Sequence, residues 1–561
     1  MTIPGIGFHT AAPTAAFPMA VGREWMVVAT HPLAAQVGAR LLAQGGTAAD
    51  AGLAVAAAIG VVEPWFSGLM GGSAWILYYS AREGKVVAVD AAGVAPLLAT
   101  PQFYDANGGL PSDGILSTAV PGSLAGWLLL LERYGSRAFE ELLAPAVELA
   151  ENGFPVSSEF VKNSRSAVEL IQKFPDSAQL FLKDGQPYRR GEILVQANLA
   201  RTFRTLQAAA AQAARDGRAA SLRAVHDLFY KGPIARAIAA CSEREGGILT
   251  EEDFARYRAE WARPIKVSYR GYEVHECPPA SQGIVLLQAL QILEGYDLAA
   301  WGHLHPETVH AAVEALNLAM ADREHFIGDP KMVSVPVTAL LSSAHAEAQR
   351  KRIDPGKALA WPLPKAALPP SGHTTVIVAA DREGNLLSVT TSLGNHWLVA
   401  GETGIVLNNR LRMFHLDEGH PNRIAPGKRV RFTANPALLL KDGRPFLAIA
   451  SPGVDVQPQA QLHGILNVID FGMTIQEAAA APRWVSTAFP DTARFPHRAR
   501  NTLMVEAGFP PALQDALRAK GHQVEPIQGY AGNLVGILVD SERRTYFGGA
   551  DPRREATAIG W

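Results

Sequence analysis

Ser371-Gly372-His373-Thr374-Thr375-Val376-Ile377-Val378-Ala379-Ala380 carries the first strong strand signal of the second half of the chain, a β-branched run that opens on two hydroxyls. Upstream, the stretch 354 to 372 has prolines at 355, 362, 364, 369 and 370. Five prolines in 19 residues cannot hold a helix and read as an extended, exposed connection. Downstream, Leu386 to Leu393 answers Thr374 to Ala380 across the turn-rich Asp381-Arg382-Glu383-Gly384-Asn385. A second hairpin, Pro436 to Leu440 and Phe446 to Ala450, flanks Lys441-Asp442-Gly443-Arg444-Pro445. By composition alone, Thr374-Thr375 is an ordinary strand start. A cut before Thr374 gives it another meaning, because hydroxyl and free α-amine then belong to one residue. That amine titrates near about 7.7–8.0 and can take the hydroxyl proton at neutral pH without a histidine.

The first two thirds of the chain read mostly as helix. His31 to Leu42 has helical spacing and stops at Gly45-Gly46. Thr47 to Asp50 resembles a capping box that opens an Ala-rich helix to Val62. Further helices are expected at Leu124 to Tyr134, Phe139 to Asn152, Leu199 to Ala214, Val285 to Leu293 and Pro306 to Ala321. Ala74 to Tyr79 and Lys85 to Asp90 read as a strand pair around Ala81-Arg82-Glu83-Gly84. No repeat indicates a solenoid or propeller.

Composition narrows the function. The chain has 561 residues, 48% hydrophobic and 19% charged, with a net charge of -2. That is ample for a large core and excludes global disorder. A pI near 6.8 without a long basic run argues against nucleic acid or a polybasic membrane surface as partner. The longest apolar stretch, Ala51 to Val62, falls well short of the roughly 20 residues that cross a bilayer. Met1 to Ala20 carries no Lys or Arg, against a secretory signal, so a cytoplasmic location is expected. Cys241 and Cys277 permit one bridge at most and read as reduced, buried thiols.

The common catalytic signatures fail. No GxGxxG follows a strand, and Gly427-Lys428 is followed by Arg429 rather than Ser or Thr. Sixteen histidines form neither HExxH nor a Cys/His pair at zinc spacing, so no metal or organic cofactor is expected. His275-Glu276-Cys277 reads as ordinary packing chemistry. Ser451 lacks the leading Gly of a nucleophile elbow and is followed by Pro452.

Several pieces, in order and spacing, resemble the γ-glutamyltranspeptidase family of N-terminal-nucleophile hydrolases over nearly the whole chain. They include Val62-Glu63-Pro64, Ser67 to Gly72, Ala119 to Ser123, Pro278 to Gly283, Ala321-Asp322-Arg323 and His373-Thr374-Thr375. Ala400 to Ile405, Leu407-Asn408-Asn409, Pro426 to Arg429, Ser451-Pro452-Gly453 and Ala481-Pro482-Arg483 complete the set. The resemblance implies an α+β fold, a four-layer αββα sandwich, and a precursor that cuts itself between His373 and Thr374. Its fragments, 1–373 and 374–561, would associate into one intertwined domain, with a homodimer of processed pairs as the expected assembly. It implies Thr374 as nucleophile, Ser392 as a second hydroxyl beside it, and backbone N–H groups at Gly453 and Val454 as oxyanion donors. Ser392 also reads as an ordinary strand hydroxyl.

The chain departs from that family where a γ-glutamyl group would be held. The arginine expected for the α-carboxylate falls at Ala92, its two helping serines at Phe432 and Thr433, and the α-ammonium acceptors at Arg410 and Met413. Gly394 replaces an asparagine. A bound ammonium would meet Arg410, a like-charge contact that can cost several kcal/mol. Arg410, with Arg412 as a second candidate, and Phe432, Thr433 and Asn435 therefore suit a small amide bearing a carboxylate but no amino group. Arg410 could instead pair with a nearby Asp or Glu and be structural. The resemblance thus leans toward the oxamate amidohydrolase and cephalosporin acylase members. A γ-glutamyl hydrolase or transferase, and a non-catalytic binding protein that kept the fold, remain as alternatives.

Overall fold

The computed structural model describes residues 18–361, 374–527, 529 and 531–561. His373 and the proline-rich connection from 362 on lie outside them. Two seven-stranded antiparallel sheets form the centre. One runs Thr557–Gly560, Met26–Ala29, Thr375–Ala380, Leu386–Ser392, Ser73–Ser80, Lys85–Ala91, Glu260–Ala262 in order of hydrogen-bonded neighbours. The other runs Ala20–Gly22, Thr545–Ala550, Val535–Asp540, Arg444–Ala450, Ala437–Lys441, Tyr272–Glu276, Ile265–Tyr269.

Alternation along the strands explains why the sheets meet. Val376, Val378 and Ala380 share one core with Leu438, Ala448, Ala450 and Ile537 of the other sheet. Ile377 and Ala379, pointing the opposite way, join a second core with helices Ala48–Val62, Ser123–Tyr134 and Phe139–Asn152. The far side of the other sheet packs on Gly283–Leu293, Pro306–Phe326 and Gln457–Ile469 through Val274, Leu439, Leu447 and Ile449. A strand buried on both faces needs no polar side, which is why 375–380 reads as an unbroken apolar run.

Helix Ala48–Val62 is apolar nearly all round because it is enclosed nearly all round. At Gly52 a Cβ would come within 2.4 Å of Leu387 and 2.7 Å of Trp127, so only glycine lets the helix lie this close to the strand. Its capping box is complete, with Thr47 accepting from Asp50 N and Asp50 accepting from Thr47 N. Fully buried Asp50 also accepts from the backbone N–H and the hydroxyl of Ser136, at 3.0 and 2.6 Å. Both cysteines are buried and unbridged. No helix among the described residues is long and apolar enough to cross a membrane.

Asp50→Ala removes the N3 half of the capping box and strands the Thr47 and Ser136 N–H groups. We expect a loss of about 2–4 kcal/mol, read as a lowered denaturation midpoint with an unchanged slope in urea.

Candidate active site

Strand register places the two hydroxyls. Thr375 lies opposite Thr391, so Thr374 falls opposite Ser392, and their oxygens are 3.2 Å apart. Thr374 is 1% exposed. Just beneath, Glu63 is buried where helix Ala48–Val62 ends. Its carboxylate accepts from Thr30 Oγ1 at 2.7 Å, Thr375 Oγ1 at 3.2 Å and Arg554 Nη2 at 3.0 Å. Arg554 lies over the Phe66 ring at 4.4 Å and reaches the Thr374 carbonyl at 3.5 Å. The strand start is therefore held on its backbone and by its neighbour's side chain, leaving the Thr374 hydroxyl to face Ser392.

A cavity of about 650 Å³ reaches the chain two residues beyond Ser392, at Gly394, its wall also including Arg412, the turn Gly453-Val454, Asp113 and Asp491. The turn is strained: Gly453 has φ +124° and Val454 φ +54°. A β-branched residue in left-handed backbone costs roughly 1–2 kcal/mol. Gln282 holds it there, donating Nε2 to the Val454 carbonyl at 2.9 Å and the Thr433 carbonyl at 2.8 Å, while Arg323 Nη1 donates to its Oε1 at 2.7 Å.

Arg410 does not reach the cavity wall. It is fully buried, donating Nε to the Leu393 carbonyl at 3.1 Å and Nη2 to Asn409 Oδ1 at 2.9 Å. Among the described residues no carboxylate lies within 4 Å of it, so the ion pair that would have made it a plain structural arginine is not found. A Cβ at Gly394 would sit 1.3 Å from Arg410 Nη2. The guanidinium thus occupies the space a side chain at 394 would take, and the two departures from the family pattern are one coupled change. Arg412 is the arginine on the wall: Nη2 donates to the Gly394 carbonyl at 3.1 Å and buried Nε has no partner. Burial lowers its pKa to about 10, with Asp113 and Asp491 opposing, so it is cationic at neutral pH. Burial, then Arg412, pushes Arg410 well below the usual arginine range.

The other expected binding residues lie behind the wall. Phe432 is buried and bonded to the Ala280 carbonyl, and the Thr433 hydroxyl is buried without a partner. Asn435 donates to Glu276 at 3.2 Å, a carboxyl that burial raises well above its normal range. Ala92 is buried, its carbonyl taken by Arg429 and Tyr257. Sequence reading missed the segment 485–500, which contributes Phe489, Asp491, Arg494, Phe495, Arg498 and Arg500 to the cavity. Three arginines within seven positions beside two phenylalanines were the available signal.

A buried hydroxyl pair at the head of a central strand, two residues from a cavity wall that carries a cation, is an arrangement able to attack a carbonyl. The family model for gamma-glutamyltranspeptidase matches residues 34–561, and the chain belongs to that family of hydrolases and transpeptidases. It is 35% identical over 548 residues to a glutathione hydrolase-like YwrD proenzyme of Bacillus subtilis (strain 168), covering 96% of this chain and 99% of that one. An oxamate amidohydrolase proenzyme of Klebsiella pneumoniae subsp. pneumoniae is 32% identical over 553 residues, covering 96% and 99%. The crystal structure of cephalosporin acylase from Bacillus halodurans matches with a TM-score of 0.86 at 31% identity, covering 100% of this chain and 99% of that one.

The Gly394–Arg410 coupling is testable as a double-mutant cycle. Gly394→Asn alone should unfold the site and lower the melting temperature by several degrees. Adding Arg410→Gln should restore part of the loss, with a coupling of about 1–3 kcal/mol, the remainder belonging to Asn409 Oδ1, 2.1 Å from the same Cβ, and to the φ of +105° at 394. Additive effects would show that the two positions do not share space.

Proposed function

We propose that the chain cuts itself between His373 and Thr374 and hydrolyses an amide through an ester on the released Thr374. The two facing sheets with helices outside each are read as the αββα sandwich, shared by fragments 1–373 and 374–561. The Thr374 oxygen attacks the substrate carbonyl carbon as its proton passes to the Thr374 α-amine. The C–N bond then breaks, the amine leaves with that proton, and an acyl ester remains for water or an acceptor amine. Ser392 holds the attacking oxygen at hydrogen-bond distance. The N–H groups of Gly453 and Val454 are the oxyanion donors, in a turn pinned by Gln282.

The substrate class rests on Arg412. A buried cation with no carboxylate within 4 Å among the described residues, and an N–H left unpaired, is costly unless a ligand completes it. A carboxylate on the acyl group does so. Arg410 adds charge from behind and shapes the wall by requiring Gly394; Phe432, Thr433 and Asn435 support that wall. The oxamate and cephalosporin relatives fit an acid without an α-amino group. One observation favours the γ-glutamyl alternative: Asp113 and Asp491 border the same cavity and could accept an ammonium.

Glutaryl-p-nitroanilide and γ-glutamyl-p-nitroanilide differ only by that amino group and separate the readings. We expect at least about tenfold higher kcat/KM for the glutaryl compound, and a loss of about 10–100-fold in Arg412→Ala. The reverse preference would establish the γ-glutamyl reading.

A further inference from the structure

Far from Thr374 in sequence and outside the cavity wall, three side chains from two elements converge. His310 and Glu314 sit one turn apart on helix Pro306–Phe326, and His522 follows helix Pro511–Ala519. His310 Nδ1 is 2.8 Å from His522 Nε2, and His522 Nδ1 is 4.0 Å from Glu314 Oε1. One ligand-capable atom from each lies within 4.8 Å of the other two. His310 and Glu314 are 2% and 0% exposed, and the His522 side chain is 6% exposed.

The hydrogen-bond bookkeeping leaves a gap. His310 Nε2–H donates to the Asp354 carbonyl at 2.8 Å, so its Nδ1 is an acceptor, and His522 Nε2–H donates to that. His522 Nδ1 is then a second bare acceptor, facing Glu314 Oε1, which is buried with no hydrogen-bond partner. Glu314 Oε2 accepts the Leu359 N–H at 3.2 Å, and the Trp361 side chain also acts on the carboxyl. Burial raises the Glu314 carboxyl to about 7 and, with His310 and Lys520, lowers His522 to about 4. A cavity of about 20 Å³, bordered by Glu314, His522, Asn317 and Trp361 but not by His310, has room for one water or one ion on the Glu314 side of the cluster.

We propose that this cluster binds one late first-row divalent cation, Zn²⁺ foremost, through His310 Nδ1, a ring nitrogen of His522 and Glu314 Oε1. Two imidazoles and a carboxylate suit that class of ion. Tetrahedral zinc places ligand atoms about 3.3 Å apart, so a tilt of the His522 ring and shifts under about 1 Å close the site. Asp354 already supplies the outer carbonyl that orients a ligating histidine. The neighbouring group Glu324, His415 and His420 is a poorer candidate, because Arg323 and Arg431 already pair with Glu324. His310 and Glu314 precede residue 374 and His522 follows it. The Asp354 and Leu359 contacts hold the segment that leads into the proline-rich connection. The ion would thus pin both sides of the chain where the connection departs.

The test uses the whole purified protein, stripped with chelator and titrated with Co²⁺ and then Zn²⁺. We expect one equivalent of Co²⁺ with a visible d–d band, displaced by Zn²⁺, and a rise in melting temperature on binding. His522→Asn and Glu314→Gln should each weaken binding at least about tenfold, while His420→Asn leaves it unchanged. No stoichiometric binding below about 100 μM free metal would overturn the proposal. So would wild-type affinity in either His522→Asn or Glu314→Gln, and the cavity would then be assigned to water.

Discussion

A buried carboxylate must be matched where it lies, and the match at Glu63 organises the molecule. Arg554 comes from near the C-terminus, Thr30 from the end of the strand Met26–Ala29, and Thr375 from the strand that opens the second half. Removing one partner of such a buried pair costs about 3–5 kcal/mol, so these segments hold one relative position or none. The hydroxyl of Thr374 inherits that rigidity. Its strand cannot slip by a residue without turning Val376 and Val378 out of the core between the sheets.

Charge then shapes the wall of this site. Arg410 and Arg412 stand side by side beneath one wall with no carboxylate in ion-pair range among the described residues. They do different work. Arg410 is a spacer whose guanidinium fills the volume above Gly394; Arg412 reaches the cavity wall, which Arg494, Arg498 and Arg500 also line. The anionic acyl group proposed above would offset the charge at Arg412, the one of the two that reaches the cavity.

Much of this was legible in the sequence, and the failures have physical causes. Helix Phe139–Asn152 has the expected bounds because one apolar face repeats cleanly between an exposed start and Gly153. The hairpins around 381–385 and 441–445 were marked by their turn residues. Helix Gln457–Ile469 was hidden because it buries Gln457, Gln459 and Gln461, so its core face does not look apolar. The strand pair 535–550 was hidden by its glycines, of which Gly536 and Gly549 approach Ile475 too closely for a side chain. At the site, Thr374, Ser392 and the 453–454 turn were legible only through the family resemblance, since by local pattern Thr374 is an ordinary strand start. The exchange of roles between Arg410 and Arg412 was not legible, because it depends on a contact between residues 394 and 410 that only the fold creates. The His310–His522 pairing spans 212 positions and lies beyond any spacing motif for the same reason.

The central claim is that Thr374 becomes an N-terminal nucleophile, and intact mass spectrometry of purified wild-type protein beside Thr374→Ala addresses it directly. Wild type should give two fragments of about 40 and 20 kDa by residue proportion, the smaller beginning at Thr374, while the variant stays at 59.9 kDa. A wild-type chain that remains whole under every maturation condition, or a variant that still cuts there, would contradict it.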